Sequence, residues 1–181
     1  MLRWNEKVNL TSITDKREIA IKHFVDSFAC VRALNQTDDA MLLDVGSGAG
    51  FPGLPLKILR PGLTVTLLEP NGKKTAFLRH VIGKLNLKKI SVVSKTLSEF
   101  AADVKDAGRF TYVVTRAVAA EEILPLAASL LTPSGRTILY RSKPFDMDAT
   151  PYGLTLSSEI AYDLPSGYGH LVLSILQQKA A

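Results

Sequence analysis

Two periodicities divide the chain. Short apolar runs rich in Val, Leu, Ile and Thr predict strands at Met41–Val45, Leu63–Leu68, Ile90–Val93, Phe110–Thr115 and Arg136–Tyr140. Between them the apolar positions return at helical spacing. That spacing predicts helices over Pro52–Leu59, Lys73–Leu85, Leu97–Val104 and Glu121–Leu131. Strands that alternate with helices build right-handed βαβ units, so the expected fold is α/β: a mostly parallel twisted sheet with helices on both faces. Near the end, Leu154–Tyr162 and His170–Leu176 read as strands joined by a turn-rich Leu-Pro-Ser-Gly-Tyr-Gly segment. With no helix between them, they predict an antiparallel C-terminal hairpin that closes the sheet. At the other end, Asp15 and Glu18 form a helix-capping pair, and Ala20, Phe24, Phe28, Val31 and Leu34 recur at helical spacing beyond it. That apolar stripe is expected to pack on the sheet. The organisation is then a single domain, with a helical segment at 1–38 packed on an α/β core at 39–181.

Composition narrows the class. With 181 residues, 46% hydrophobic and 22% charged, the chain is sized and balanced for one soluble globular domain. Cys30 is the single cysteine, which excludes an intrachain disulfide and a multi-cysteine zinc site, and no metal centre is expected. No apolar run has transmembrane length, and the first ten residues lack a secretory core. A cytoplasmic protein with no membrane association, monomeric by default, is the expectation. The net charge is +5. Its distribution is more telling: from Asn71 to Lys95 there are seven basic residues and no acidic one, so the remainder of the chain is slightly acidic.

The strongest local signal follows the first strand. Leu42-Leu43-Asp44-Val45 runs into Gly46-Ser47-Gly48-Ala49-Gly50-Phe51-Pro52-Gly53. A strand, a glycine turn and a helix place a cofactor at the carboxyl edge of a sheet. Two chemistries use this layout. The dinucleotide pattern G-x-G-x-x-G fits only with a start two residues late. The acid-x-G-x-G-x-G pattern of class I, Rossmann-like S-adenosylmethionine-dependent methyltransferases fits Asp44 to Gly50 without a shift. Glu69 ends the second strand, 19 residues after Gly50. A carboxylate there can accept from both ribose hydroxyls, a role common to both cofactors.

Five stretches carry a resemblance to a known family. They are Trp4-Asn5 with Asn9-Leu10-Thr11 and Ile13, then Ile21, His23-Phe24 and Asp26-Ser27, then Asp44 through Leu56. Asn71-Gly72-Lys73-Lys74 with Phe77-Leu78-Arg79, and Arg116-Ala117-Val118-Ala119, complete the set. Together they resemble the glucose-inhibited division protein B family, the small-subunit ribosomal RNA guanine-N7 methyltransferases. The likeness runs from Trp4 to about Ala119. It implies transfer of a methyl group from S-adenosylmethionine to N7 of a guanine in the decoding region (the 530 loop) of 16S ribosomal RNA. The implied partner is that RNA or the small ribosomal subunit. By the same resemblance, cofactor contacts fall on Gly46, Phe51, Leu97, Ser98 and Arg116, and they join Asp44, Gly48, Gly50 and Glu69 from the reading of the loop and second strand. The chain departs from the family at Thr96-Leu97-Ser98, where an Arg-Ala-Glu-like run is usual, and only three residues precede Trp4.

Guanine N7 carries a free lone pair, so its methylation needs no general base, and none is evident. Arg116 follows the fourth strand and is expected to position the methionine carboxylate or an RNA phosphate. Its substitution is expected to lower turnover while the fold survives. His23 shares a helix with Phe24 and Phe28 and reads as a packing histidine as readily as a site residue. For RNA, the expected phosphate contacts are Lys73, Lys74, Arg79, Lys84, Lys88 and Lys89, extended by Arg141 and Lys143 after the fifth strand. The alternatives are a methyltransferase with a non-RNA acceptor, a non-catalytic RNA- or nucleotide-binding module, and a nicotinamide oxidoreductase. Asp44 and the glycine register disfavour the last.

Overall fold

A computed structural model describes residues 1–35, 39–102, 108–116, 118–145 and 152–179. The strands are β1 (Met41–Val45), β2 (Thr64–Leu68), β3 (Ile90–Val93), β4 (Phe110–Thr115), β5 (Leu131–Arg141), β6 (Leu154–Leu164) and β7 (Gly169–Gln178). They form one sheet in the order β3-β2-β1-β4-β5-β7-β6. The first five strands are parallel, and β7 runs antiparallel to both β5 and β6. The expected parallel sheet with a closing hairpin is therefore what forms.

Sequence alternation explains how both faces are covered. Leu42 and Leu43 on β1 are fully buried yet point to opposite faces. Leu42 joins Val65, Leu67, Val114 and Ile138 beneath α4 (Gly53–Leu59) and α5 (Gly72–Lys84). Leu43 joins Leu68, Val113 and Leu139 against Phe100 of α6 (Leu97–Ala101) and Ile123, Leu124 and Ala127 of α7 (Ala120–Leu130). Each buried leucine contributes roughly 2 kcal/mol of hydrophobic stabilisation, so this alternation fixes the register of β1.

Three elements depart from the sequence reading. β5 starts at Leu131, five residues before the expected Arg136. Pro133 and Gly135 look like breakers, but a bulge absorbs them: Phe110 pairs with Leu131, and Tyr112 pairs with Arg136. The predicted helix at Leu97–Val104 closes at Ala101 with Ala102 as its cap, and its last two residues lie outside the described ones.

The N-terminal segment departs most. It begins with α1 (Leu2–Val8) and resumes as α2 (Lys16–Ile19), a π turn at Ala20–Val25, α3 (Asp26–Ala29) and a 3-10 turn at Cys30–Ala33. The Asp15 cap forms as expected, accepting from the Glu18 N–H at 2.8 Å. Only the far end of the apolar stripe packs as expected, with Leu34 buried and Val31 against the core. Ala20 is exposed, and Phe24, Val25 and Phe28 are each 39% exposed. The buried side carries Ile21, His23, Asp26, Ser27, Cys30 and Ala33. The π turn takes in more residues than an α turn and so rotates α3 relative to α2. The polar side chains then find partners inside: the Tyr162 hydroxyl donates to Asp26 at 2.6 Å, and the Tyr140 hydroxyl to the Ser27 carbonyl at 2.8 Å.

Candidate functional site

The glycine loop is tied to itself. The Gly46 and Ser47 N–H groups donate to the Leu68 carbonyl, and those of Gly50 and Phe51 to the Ser47 carbonyl. The Gly48 N–H donates to Glu69 Oε2 at 2.9 Å. Below the loop, Asp44 Oδ2 accepts from the Gly53 N–H at 2.9 Å, and the Leu54 N–H donates to the Gly50 carbonyl at 2.8 Å. The first N–H groups of α4 are thus already taken. Unlike a phosphate-binding turn, this turn presents no row of free donors. Asp44 is fully buried, and burial pushes its carboxyl up to about 7 against the opposing pull of the Gly53 N–H. Glycine is required at Gly46, where φ is +69° and a Cβ would sit 2.5 Å from Val118 Cγ2.

Two cavities flank the loop and share Gly46. The first, of about 180 Å³, is lined by Leu10, His23, Ser47, Gly48, Ala49, Phe51, Glu69, Lys74 and Arg116. The second, of about 480 Å³, is lined by Val45, Leu68, Pro70, Thr96, Leu97, Ser98, Val118, Glu122 and Leu126, with Lys95. The ends of β1, β2, β3 and β4 all reach this edge, which is where open α/β sheets bind ligands. Glu69 is buried, and its oxygens accept from the Gly48 and Asn71 N–H groups, both at 2.9 Å. A carboxylate has about four acceptor positions, so each oxygen keeps one for a ligand. In the second cavity Thr96 caps α6 and Glu99 caps back, and Ser98 Oγ lies 3.1 Å from Thr96 Oγ1. The sequence reading misses this capping box, although Thr96 and Glu99 have the spacing that signals one.

The wall opposite the loop is made of side chains. Arg116 lies over the Phe51 ring, its guanidinium carbon 5.5 Å from the centroid. Its NH1 donates to the Lys22 carbonyl at 2.9 Å and to Asp26 Oδ2 at 3.1 Å. Its NH2 lies 2.9 Å from His23 Nδ1. Arginine only donates, so Nδ1 is the acceptor and carries no proton. His23 Nε2 therefore holds the hydrogen, which it donates to Thr11 Oγ1 at 2.9 Å. Burial, reinforced by Arg116, lowers the His23 value to about 4, so the ring is neutral. Asn5 fixes Thr11 in turn: Oδ1 accepts from the Leu10 and Thr11 N–H groups, and Nδ2 donates to the Thr11 carbonyl.

The model of the family described as GidB, rRNA small subunit methyltransferase G, matches residues 1–166. The chain belongs to this family. A relative from Roseiflexus castenholzii, named ribosomal RNA small subunit methyltransferase G, is 46% identical over 143 residues, covering 75% of this chain and 61% of that protein. One of the same name from Streptococcus gordonii is 34% identical over 188 aligned residues, covering 99% of this chain and 79% of its own length. The chain spans less than two thirds of several such relatives, 52% in the case of Desulforamulus reducens. Among solved structures, TrmN from Thermus thermophilus superposes with a TM-score of 0.69 at 16% identity, covering 84% of this chain and 48% of that one. TYW2 from M. jannaschii, solved with AdoMet, gives 0.65 at 14%, covering 93% and 80%. These two show the fold.

The motif residues of the rRNA small subunit methyltransferase G family are distributed unevenly around the site. Gly46, Gly48, Phe51, Glu69 and Arg116 line the first cavity, while Leu97 and Ser98 line the second. Asp44 and Gly50 line neither cavity: Asp44 braces the loop from below, and a Cβ at Gly50 would run into Leu54 and Leu78. His23, which the sequence reads as a packing residue as readily as a site residue, is part of the wall. Leu10 and Thr11 stand out in the sequence only as motif positions, because no local pattern connects them with His23 or Arg116.

The basic residues are not brought together. α5 starts at the ligand edge and runs about 20 Å to the opposite edge. Lys74 lines the first cavity, and Lys73 is exposed beside it. Lys84, Lys88 and Lys89 lie at the far edge, where Lys89 pairs with Asp39 at 3.7 Å. Arg79 is exposed between them. Arg141 and Lys143 return to the ligand edge, lining a third cavity of about 380 Å³ with Thr115, Val118 and Tyr140.

Proposed function

We propose that the chain binds S-adenosylmethionine across the two cavities that share Gly46 and transfers its methyl group to N7 of a guanine in small-subunit ribosomal RNA, in the cytoplasm. The observation that carries this is the closed hydrogen bonding of the loop. Apart from that of Ala49, its N–H groups and the first ones of α4 are held by Leu68, Ser47, Gly50, Asp44 and Glu69. A pyrophosphate would need those donors, whereas a sulfonium nucleoside needs none of them. The carboxylate of Glu69 faces the cavity where a ribose would lie, and it suits a ligand that brings hydroxyls and positive charge. The residues present therefore fit this cofactor and disfavour a nicotinamide dinucleotide.

When bound, S-adenosylmethionine supplies an electrophilic methyl group on sulfur. The protein's part is to hold N7 in line with the departing sulfur and exclude water. No residue needs to take a proton, and the neutral His23, engaged on both nitrogens, is not offered as a base. Leu97 and Ser98 are the adenine-side contacts, and Arg116 faces the methionine end. The acceptor approaches over the third cavity, where Arg141 and Lys143 supply phosphate partners. Duplex RNA hides N7 in a deep, narrow groove, so the target guanine is unpaired or flipped out.

The test has two parts. Calorimetry with S-adenosylmethionine and with NAD should give binding of the first only. Mapping 7-methylguanosine in small-subunit RNA incubated with the protein and S-adenosylmethionine should then show one modified guanine. Binding of NAD instead, or methylation that survives ribonuclease treatment of the acceptor, would replace this reading.

A further inference from the structure

The first cavity contains an arginine whose donors divide cleanly. Of the five N–H groups of Arg116, the two on NH1 go to the Lys22 carbonyl and Asp26, and one on NH2 goes to His23. The other NH2 hydrogen and the Nε hydrogen have no acceptor among the described residues. With His23 on the NH2 hydrogen nearer NH1, those two lie side by side on the guanidinium and match the two oxygens of a carboxylate. Which side of the fork is left open depends on what holds the rest. Asp26 and the Lys22 carbonyl grip NH1 alone, while His23 Nδ1 grips NH2 and sets the rotation of the plane.

We propose that His23 is a positioning residue: fixed as the neutral Nε2–H tautomer between Thr11 and Arg116, it aims the open side of the guanidinium at the carboxylate of the methyl donor. This rests on the cofactor reading above. The geometry leaves one proton arrangement. An Nδ1–H tautomer would set two donors against each other across 2.9 Å at Arg116. The Nε2–H form satisfies both ends, because Thr11 Oγ1 accepts it and also takes the Ile13 N–H at 3.1 Å. The Phe51 ring stacks on His23 with centroids 4.9 Å apart and an interplanar angle of 22°, holding the imidazole flat against the loop. The same Phe51 lies under Arg116. Asn5, through Thr11, ties this arrangement to the turn after α1. The low value of His23, about 4, fits a ring that stays neutral across the working range.

Two ligands separate a positioning role from a structural one. S-Adenosylhomocysteine carries the amino-acid carboxylate, and 5′-methylthioadenosine lacks it. In the wild-type chain the first should bind more tightly. His23→Leu should weaken S-adenosylhomocysteine by about tenfold, the scale of one charge-assisted hydrogen bond, and leave 5′-methylthioadenosine within about twofold. His23→Asn puts an amide oxygen where Nδ1 stands and should recover most of the loss. His23→Gln reaches the Nε2 position instead and should not recover it. Nitrogen-15 spectra of the folded wild-type chain should show an unprotonated Nδ1 at neutral pH. Equal weakening of both ligands, no difference between the Asn and Gln variants, or a protonated Nδ1 each overturns the proposal. If the wild-type chain binds neither ligand, the cofactor reading fails and this inference falls with it. Should His23→Leu not fold, Thr11→Val removes the acceptor for Nε2–H, together with that for the Ile13 N–H, and must show the same selectivity between ligands, smaller in size; without that selectivity the proposal is wrong.

Discussion

The two walls of the first cavity are built in opposite ways. One wall is backbone: a turn of seven residues between β1 and α4, whose N–H groups, Ala49 aside, are satisfied by carbonyls and carboxylates close by. The other wall is a chain of side chains, Asn5 to Thr11 to His23 to Arg116 to Asp26 to Tyr162, drawn from separate stretches of sequence. The first wall needs glycines and two buried acids, Asp44 and Glu69. The second needs polar residues turned inward, which forces the helix that carries them to show its phenylalanines to solvent. A buried polar network of this kind is stable only when every member is paired. The backbone wall should therefore respond to change mainly through pH and local strain. The side-chain wall should respond by losing stability and function together.

The Arg116–Asp26 pair gives the largest expected effect. Arg116 is 20% and Asp26 is 7% exposed, so truncating the arginine leaves a buried carboxylate with Tyr162 as its remaining partner. Arg116→Ala should lower methyl transfer by about a hundredfold, the scale seen when one positioned donor is lost. It should also cost about 3 kcal/mol of stability by urea denaturation, because one charge of a buried pair is stranded. The fold is still expected to survive, at reduced stability. Adding Asp26→Asn to Arg116→Ala should return much of the stability and none of the activity. If stability does not recover in the double variant, the two walls differ less than the hydrogen bonding suggests.

The two walls also show where sequence is informative and where it is not. The loop wall is legible because its determinants are contiguous: Asp44, the alternating glycines and Glu69 at the end of the next strand all sit at fixed offsets. The strands are legible for the same reason, since burial on both faces leaves an unbroken apolar run. The helical segment misleads because periodicity reports which residues are apolar and not which face is buried. Ala20, Phe24 and Phe28 have the right spacing for a core stripe. His23, Asp26 and Ser27 displace them because their partners, Arg116, Tyr162 and Tyr140, arrive from strands more than ninety residues away. Likewise, Pro133 and Gly135 hide the start of β5, because a bulge is decided by the partner strand.

On the backbone wall the sharper probe is pH. The Asp44 carboxyl is pushed from its ordinary 3.8 up to about 7 by burial. Between those values the folded chain keeps a proton that the unfolded chain has released, so stability falls as pH rises through the window, by a few kcal/mol at most. Asp44→Asn keeps an acceptor for the Gly53 N–H and removes the charge. Thermal midpoints of the two proteins should be close near pH 5 and should separate by pH 8, with the Asn variant higher. Parallel curves would mean that Asp44 is ionised in the folded chain throughout, and that the loop is stabilised by charge after all.

The smallest effect concerns the basic residues, which the fold divides between the two edges of the sheet. Lys73, Arg141 and Lys143 stand at the edge that holds the cavities, while Lys84, Lys88 and Lys89 stand at the other end of α5, about 20 Å away. At physiological ionic strength the screening length is about 8 Å, so charges at the far edge act weakly on RNA seated at the near one. Replacing the near three by Gln should lower RNA affinity several-fold and flatten its dependence on log salt by about two units, as expected for two to three lost phosphate contacts. Replacing the far three should change affinity less than threefold and leave the slope nearly unchanged. Equal slopes from the two triple variants would mean that the RNA wraps the whole length of α5, and that the acidless stretch from Asn71 to Lys95 acts as one surface despite its two ends.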